Sequence, residues 1–284
     1  MKTEVTVKSP KPAKKRDAFS EDWPLPNPVI GYFAKALAIA DMEMRKLRHD
    51  PSSLFVRAVQ PALWLLVFGQ VFAKIRAIPT GNVNYIDFLA PGILAQSMLF
   101  VSIFYGISII SERDHGVLFK FLAAPVPRSA IVLGKALAAG CRALAQMVII
   151  YALALTQHVD MRWDLPALVG VVAFVFLGAG LFATLSLIIA CIVKTRERFM
   201  GMGQLMTMPL FFASNAIYPI SIMPGWLQVV AHINPLSYEV DGLRTLMIAG
   251  GHSVFDIPTD FAVLSAIFVM LIAIGGRMYP RIAY

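Results

Sequence analysis

Cysteine is nearly missing from this sequence: Cys141 and Cys191 are the only two, both in apolar runs and with no C-x-x-C pair. A disulfide framework is thereby excluded. The histidines His49, His115, His158, His232 and His252 are scattered, without the spacing of a metal-binding helix face, so metal-dependent catalysis is not expected. No G-x-x-x-x-G-K-[ST] occurs, because Gly134-Lys135 has Ser129 where the first glycine would stand. The chain has no recognisable phosphate loop and is not expected to hydrolyse ATP by itself. Charge is scarce too. Asp, Glu, Lys and Arg make up 15% of the residues against 58% hydrophobic ones, and the mean hydropathy is +0.69. A soluble domain cannot hide that much apolar surface, so a polytopic membrane protein is expected. Within the apolar runs only Arg142 and His232 are expected at depth. Ion-coupled carriers place acids or histidines there, so this scarcity argues against secondary transport. The absence of a G-x-S-G or paired-histidine motif argues likewise against an intramembrane enzyme.

What charge there is lies in clusters. The net charge is +8, and residues 1–16 hold Lys2, Lys8, Lys11, Lys14, Lys15 and Arg16 against Glu4 alone. With an apolar chain following, attraction to anionic lipid is a better reading than nucleic-acid binding. No apolar segment of a cleaved signal peptide follows these residues. Residues 1–26 are expected to be a disordered basic cytoplasmic tail. Asn27-Pro28 then starts a helix over 27–50, with Ile30, Phe33, Leu37, Ala40, Met44 and Leu47 at helical spacing. Asp41, Glu43, Arg45, Lys46 and Arg48 crowd its other side, the pattern of an interfacial helix.

Residues 51–284 read as an all-α membrane domain with six spans, near 54–73, 88–110, 131–156, 166–193, 199–217 and 258–276. Between the last two, Pro219, Pro224, Gly225 and Pro235 interrupt an apolar stretch. Two short helices dipping into the outer leaflet are expected there, since broken backbone at membrane depth must be satisfied by protein or water. Gly178-x-Gly180 and Gly201-x-Gly203 are expected to be close-packing sites. With this topology nineteen Lys or Arg fall on one side and four on the other, which places both termini and the 111–135 loop in the cytoplasm.

That loop is more than a turn. Ser111 to Arg142 carries Glu112, Arg113 and Asp114, the turn residue Gly116, Phe119 and Phe121 around Lys120, and a Pro125-x-Pro127 break before Lys135. It reads as a short surface helix presented to something outside the membrane, or as an interfacial anchor. The run ERDHGVLFKFLAAPVPRSAIVLGKAL closely resembles the signature of ABC-2 permeases of ABC transporters, with Glu112, Arg113, Gly116, Pro125, Arg128, Gly134 and Lys135 at matching positions. Ser111 departs from it, standing where many relatives have an aromatic residue.

The resemblance implies that this segment is a coupling helix docking into a separate ATPase subunit, with Glu112, Arg113, Asp114, Gly116, Phe119 and Phe121 transmitting the coupling. ATP and Mg would then sit on that partner and no cofactor on this chain. It also implies two permease copies or a pair of relatives, two ATPase copies, and export of a drug, lipid or glycoconjugate across a bacterial or archaeal cytoplasmic membrane. Candidate pathway residues are Arg142, Gln204, Phe211, Ser214, Asn215 and Tyr218. A scaffold or sensor whose loop binds a partner without moving cargo is the other alternative.

Overall fold

Apolar length decides the architecture. In the computed structural model, which describes residues 28–49, 52–75, 78–80, 83–124, 126–193 and 195–279, five stretches are long and apolar enough to cross a bilayer. They are Arg57–Ile75, Tyr85–Asp114, Arg128–Thr156, Leu165–Ile192 and Ile257–Met278. The tail at 1–26, the Asn27 cap, Asp50-Pro51, Asn82, Pro125, Lys194 and Arg281 lie outside the described residues.

The first helix, α1 (Pro28–His49), precedes the spans. Then α2 (Ser52–Leu63) and α3 (Gly69–Ile75) are joined through a π-helical turn at Trp64–Phe68. The second crossing comprises α4 (Tyr85–Ile103) and α5 (Gly106–Asp114), followed by the seven-residue α6 (Val117–Ala123). Next come α7 (Arg128–Thr156), α8 (Leu165–Ile192) and α9 (Arg196–Phe212). The short α10 (Gly225–Ile233) and α11 (Pro235–Met247) precede the final α12 (Ile257–Met278). Among the described residues there is no β-strand; one isolated backbone bridge joins Met161 to Ile248.

One expected span differs in length. The fifth expected span is α9, only 17 residues long with Pro209 inside it, about 26 Å at 1.5 Å per residue against a hydrocarbon core of about 30 Å. It is therefore not among the five. On α1, Ile30, Phe33 and Leu37 are more than half exposed, while Ala36, Ile39, Ala40 and Glu43 are buried. The small face of α1 lies against α7, where a Cβ on Gly134 would stand 2.5 Å from the Ala36 carbonyl oxygen. The bulky face is left exposed.

α8 is apolar on every side, as a central helix must be, and it packs against α4, α7, α11 and α12. Lipid tails are as apolar as leucine, so close packing and buried hydrogen bonds hold such a bundle rather than water exclusion. Ser186 of α8 supplies one such bond pair where α4 gives way to α5, accepting from the Gly106 N–H at 3.0 Å and donating to the Ile103 carbonyl. Asn234 supplies another. Its Oδ1 accepts from the Leu236 N–H at 3.0 Å, capping α11, and its Nδ2 donates to the Leu210 carbonyl at 2.7 Å, tying the hairpin to α9.

Glycine spacing separates contact from free surface. A Cβ at Gly92 would lie 2.3 Å from the Ala216 carbonyl oxygen, whereas at Gly201 nothing lies within 4 Å. Gly201 is thus not the close-packing site its sequence context predicts, while Gly178 and Gly203 are in contact with Glu239 and Phe104. Gly92→Ala is expected to destabilise the purified protein by about 1–3 kcal/mol. Gly201→Ala should be neutral or stabilising by up to about 1 kcal/mol. Thermal unfolding of both variants in one detergent checks the contrast; equal melting temperatures would refute the α4–Ala216 contact.

Candidate functional site

The site is built where two transmembrane helices turn back. α5 ends at Asp114, and Gly116 adopts φ +72°, the left-handed conformation that glycine takes without strain. That residue turns the chain into α6. Pro127, with φ fixed near its own −57°, then leads into α7 at Arg128.

Behind α6 lies a buried ion network. The Lys135 ammonium is 2.6 Å from Glu112 Oε2 and 3.3 Å from Glu43 Oε1. Lys46 closes the ring at 2.8 Å from Glu112 Oε1 and 3.0 Å from Glu43 Oε1, and Arg142 reaches Glu43 Oε2 at 3.6 Å. Glu43 and Lys135 are at most 1% exposed and Glu112 is 7% exposed. The network therefore ties α1, α5 and α7 together directly behind the loop. Lys135 also lies over the rings of Phe121 and Tyr105, at 5.6 and 6.0 Å, and Arg142 over Tyr105 at 4.7 Å.

Burial alone would raise the Glu43 pKa. The charge of Lys135 and hydrogen bonds from its partners outweigh that and hold it at about 2. Since this value lies below the unfolded one, the stabilisation is complete above the ordinary glutamate pKa and is lost only as pH falls toward 2. At neutral pH Glu43 is a fixed charge and not a proton switch. Lys46 behaves in parallel: burial penalises its ammonium, but Glu112 and then Glu43 outweigh the penalty and raise its pKa.

The two phenylalanines of α6 part company. Leu118 is fully buried and Phe121 packs against the same cluster, while Phe119 is 53% exposed. Arg113 pairs with Asp114 at 2.8 Å on the outer surface. Glu112, which the sequence suggests as a surface charge, points inward to Lys46 and Lys135.

The candidate pathway residues do not form one group. Phe211, Ser214, Asn215 and Tyr218 cluster at the end of α9, where Phe211 meets the Trp64 ring at 5.9 Å and Ser214 donates to the Phe211 carbonyl at 2.7 Å. Asn215 is buried, and its carbonyl accepts from Arg244 at 2.7 Å. Tyr218 donates to the Phe212 carbonyl. Gln204 lies on the exposed face of α9, and Arg142 belongs to the ion network.

Sequence reasoning misses two sets of ionisable groups. Glu43 looks like part of a solvated charged face; the signal that finds it is its register with Ala36, Ile39 and Ala40 on the small face of α1. The second set is Glu239, Asp241, Arg244 and Asp260, all buried, which corrects the expectation of a core nearly free of charge. Arg244 lies 3.7 Å over the Phe88 ring. Asp241 Oδ2 accepts from the Ser253 hydroxyl and the Val254 and Phe255 N–H groups at 2.7–3.0 Å. The argument against ion-coupled transport from scarce ionisable groups therefore falls away.

A family profile described as ABC-2 type transporter matches residues 35–248. The chain belongs to the ABC-2 type transporter family. Among curated relatives, it is 29% identical over 203 residues to transport permease ycf38 of Cyanophora paradoxa, covering 71% of this chain and 70% of the relative. It is 24% identical over 240 residues to the daunorubicin resistance ABC transporter permease protein DrrB1 of Streptomyces coeruleorubidus, covering 83% and 82%. Nodulation protein J of Neorhizobium galegae is 27% identical over 223 residues, covering 78% of this chain and 82% of the relative. As an ABC-2 protein the chain is a multi-pass membrane permease, and its network gives the signature a physical reason. Within the motif, Glu112 and Lys135 pair with each other, and Gly134 makes room for α1.

Proposed function

We propose that this chain is the membrane half of an ATP-driven exporter, in which α6 is the coupling helix received by a separate ATPase subunit. The observation that carries the reading is the exposed Phe119 on a short helix whose base is clamped by the Glu43–Glu112–Lys135 network. A transmitted force needs an anchor outside and a rigid base inside, and this loop has both. Phe119 supplies the anchor, Arg113 and Asp114 its polar rim, and Phe121 and Glu112 the base.

In this reading α9 is the sixth crossing, and α10 and α11 dip into the membrane from outside and return. The distribution of Lys and Arg supports a cytoplasmic α6, on the side where ATP and Mg would bind the partner subunit. A second permease copy supplies the other pathway wall. Gln204, a polar side chain exposed on a membrane helix, favours a protein or water neighbour there over lipid. Permease relatives named for daunorubicin resistance and nodulation support an amphipathic or lipid-linked cargo.

Co-expression with an ATPase subunit is expected to yield a complex holding two permeases and two ATPases, with hydrolysis stimulated by cargo. A complex that forms without stimulation by any cargo indicates a scaffold. Orientation is checked separately. In a background lacking Cys141 and Cys191, a membrane-impermeant thiol reagent added to sealed cells should label His252→Cys and spare His115→Cys. Labelling at 115 from outside would overturn the topology.

A further inference from the structure

A second feature sits beside the ion network. Between α1, α2, α5, α7 and α9 lies a partly open cavity of about 350 Å³, within the range of about 300–1,000 Å³ usual for ligand sites. Four cations from four different helices converge on it, Lys46, Arg57, Arg142 and Arg196, against one carboxylate, Glu112. The Glu112 oxygens are already engaged by Lys46 and Lys135. Arg142 reaches Glu43 only at 3.6 Å, and its buried Nε has no hydrogen-bond partner. Glu43 and Glu112 offset Lys46, Lys135 and part of Arg142, which leaves an excess of positive charge around the cavity that a bound anion would offset. The rest of the wall includes apolar Val101 and Phe104, so the cavity offers charge and an apolar surface side by side.

We propose that this cavity binds a single phosphate- or carboxylate-type anionic group, carried on a lipid headgroup or free in solution. The guanidinium groups of Arg142, Arg196 and Arg57 would form charge-assisted bonds to its oxygens. Arg142 is held in place by the Tyr105 ring beneath it. The charge distribution of the chain puts the cavity at the cytoplasmic end of the bundle, where basic pockets between membrane helices meet anionic headgroups. That the bound group belongs to cargo rests on the exporter reading; that the cavity binds it does not.

The test uses the purified full-length chain and needs neither ATP nor an ATPase. In one arm, native mass spectrometry counts phosphatidylglycerol retained from vesicles mixed with phosphatidylcholine. In the other, calorimetry measures binding of inorganic phosphate to lipid-depleted protein. Retained phosphatidylglycerol without phosphate binding identifies a tethered headgroup as the ligand; saturable phosphate binding identifies a soluble anion. In whichever arm binds, Arg142→Gln with Arg196→Gln is expected to weaken binding by roughly tenfold or more. Arg57→Gln with Arg196→Gln leaves the Glu43 pair intact and should do the same. Arg45→Gln, outside the cavity, should not. The proposal is overturned if neither probe binds, if both double variants bind as the parent does, or if Arg45→Gln weakens binding equally. Such a result leaves the exporter reading standing, and a failed co-purification with an ATPase leaves this site standing.

Discussion

Lys135→Met is expected to be the most damaging single substitution near the loop. It leaves the carboxylates of Glu43 and Glu112 buried, with Lys46 as their main remaining cation. Breaking one partner out of a buried ion pair costs on the order of 3–5 kcal/mol. For a chain of this size that lowers the melting temperature by roughly 10 °C. Coupling should fail along with stability, because α5 and α1 lose their common tie behind α6. Adding Glu43→Gln and Glu112→Gln to Lys135→Met removes the stranded charges and should restore part of the lost stability. If the triple variant melts no higher than Lys135→Met, the defect is lost packing and not unpaired charge.

Phe119→Ala is expected to give the opposite pattern. The side chain is 53% exposed, so its truncation should leave the melting temperature of the permease unchanged. A central aromatic anchor at a protein interface contributes on the order of 2 kcal/mol or more, so affinity for the ATPase should fall by roughly 30-fold. Phe121→Ala should behave differently again, since that ring packs on the buried cluster beneath Lys135. It should lower stability by about 1–3 kcal/mol and weaken ATPase binding only as a consequence. Melting curves and ATPase pull-downs on the two variants separate the roles. An unstable Phe119→Ala with normal ATPase binding would reverse the assignment of the two faces.

The membrane nature of the chain and five stretches of crossing length are legible from apolar length alone: α7, α8, α12 and the combined α4–α5 exceed the bilayer requirement, and Arg57–Ile75 just meets it. α9 is not, since Pro209 and the turn after Phe212 end the helix at 17 residues inside an apolar stretch that continues to Ile217. Helical spacing finds α1 but does not reveal which residues it buries. Periodicity registers where bulky residues lie, and on this helix they face outward while alanines and Glu43 face α7. The loop motif is legible as a motif. Its pairing is not, because Glu112 and Lys135 stand at opposite ends of the motif and Glu43 lies outside it on α1, and only the fold brings the two carboxylates within 3.3 Å of Lys135. The buried Arg244 and Glu239 escape for the same reason: their carbonyl, aromatic and glycine neighbours come from α4, α8 and the end of α9.

The docking of α6 into an ATPase is tested most directly by placing a photo-crosslinking amino acid at position 119 in native membranes containing both subunits. Trp163, exposed beyond the other end of α7, serves as the control position. The account predicts a crosslink to the ATPase subunit from 119 that strengthens or shifts with nucleotide, and none from 163. Crosslinks from 119 to lipid alone, in membranes where the ATPase is present and active, would show that the loop is an interfacial anchor and contradict the account.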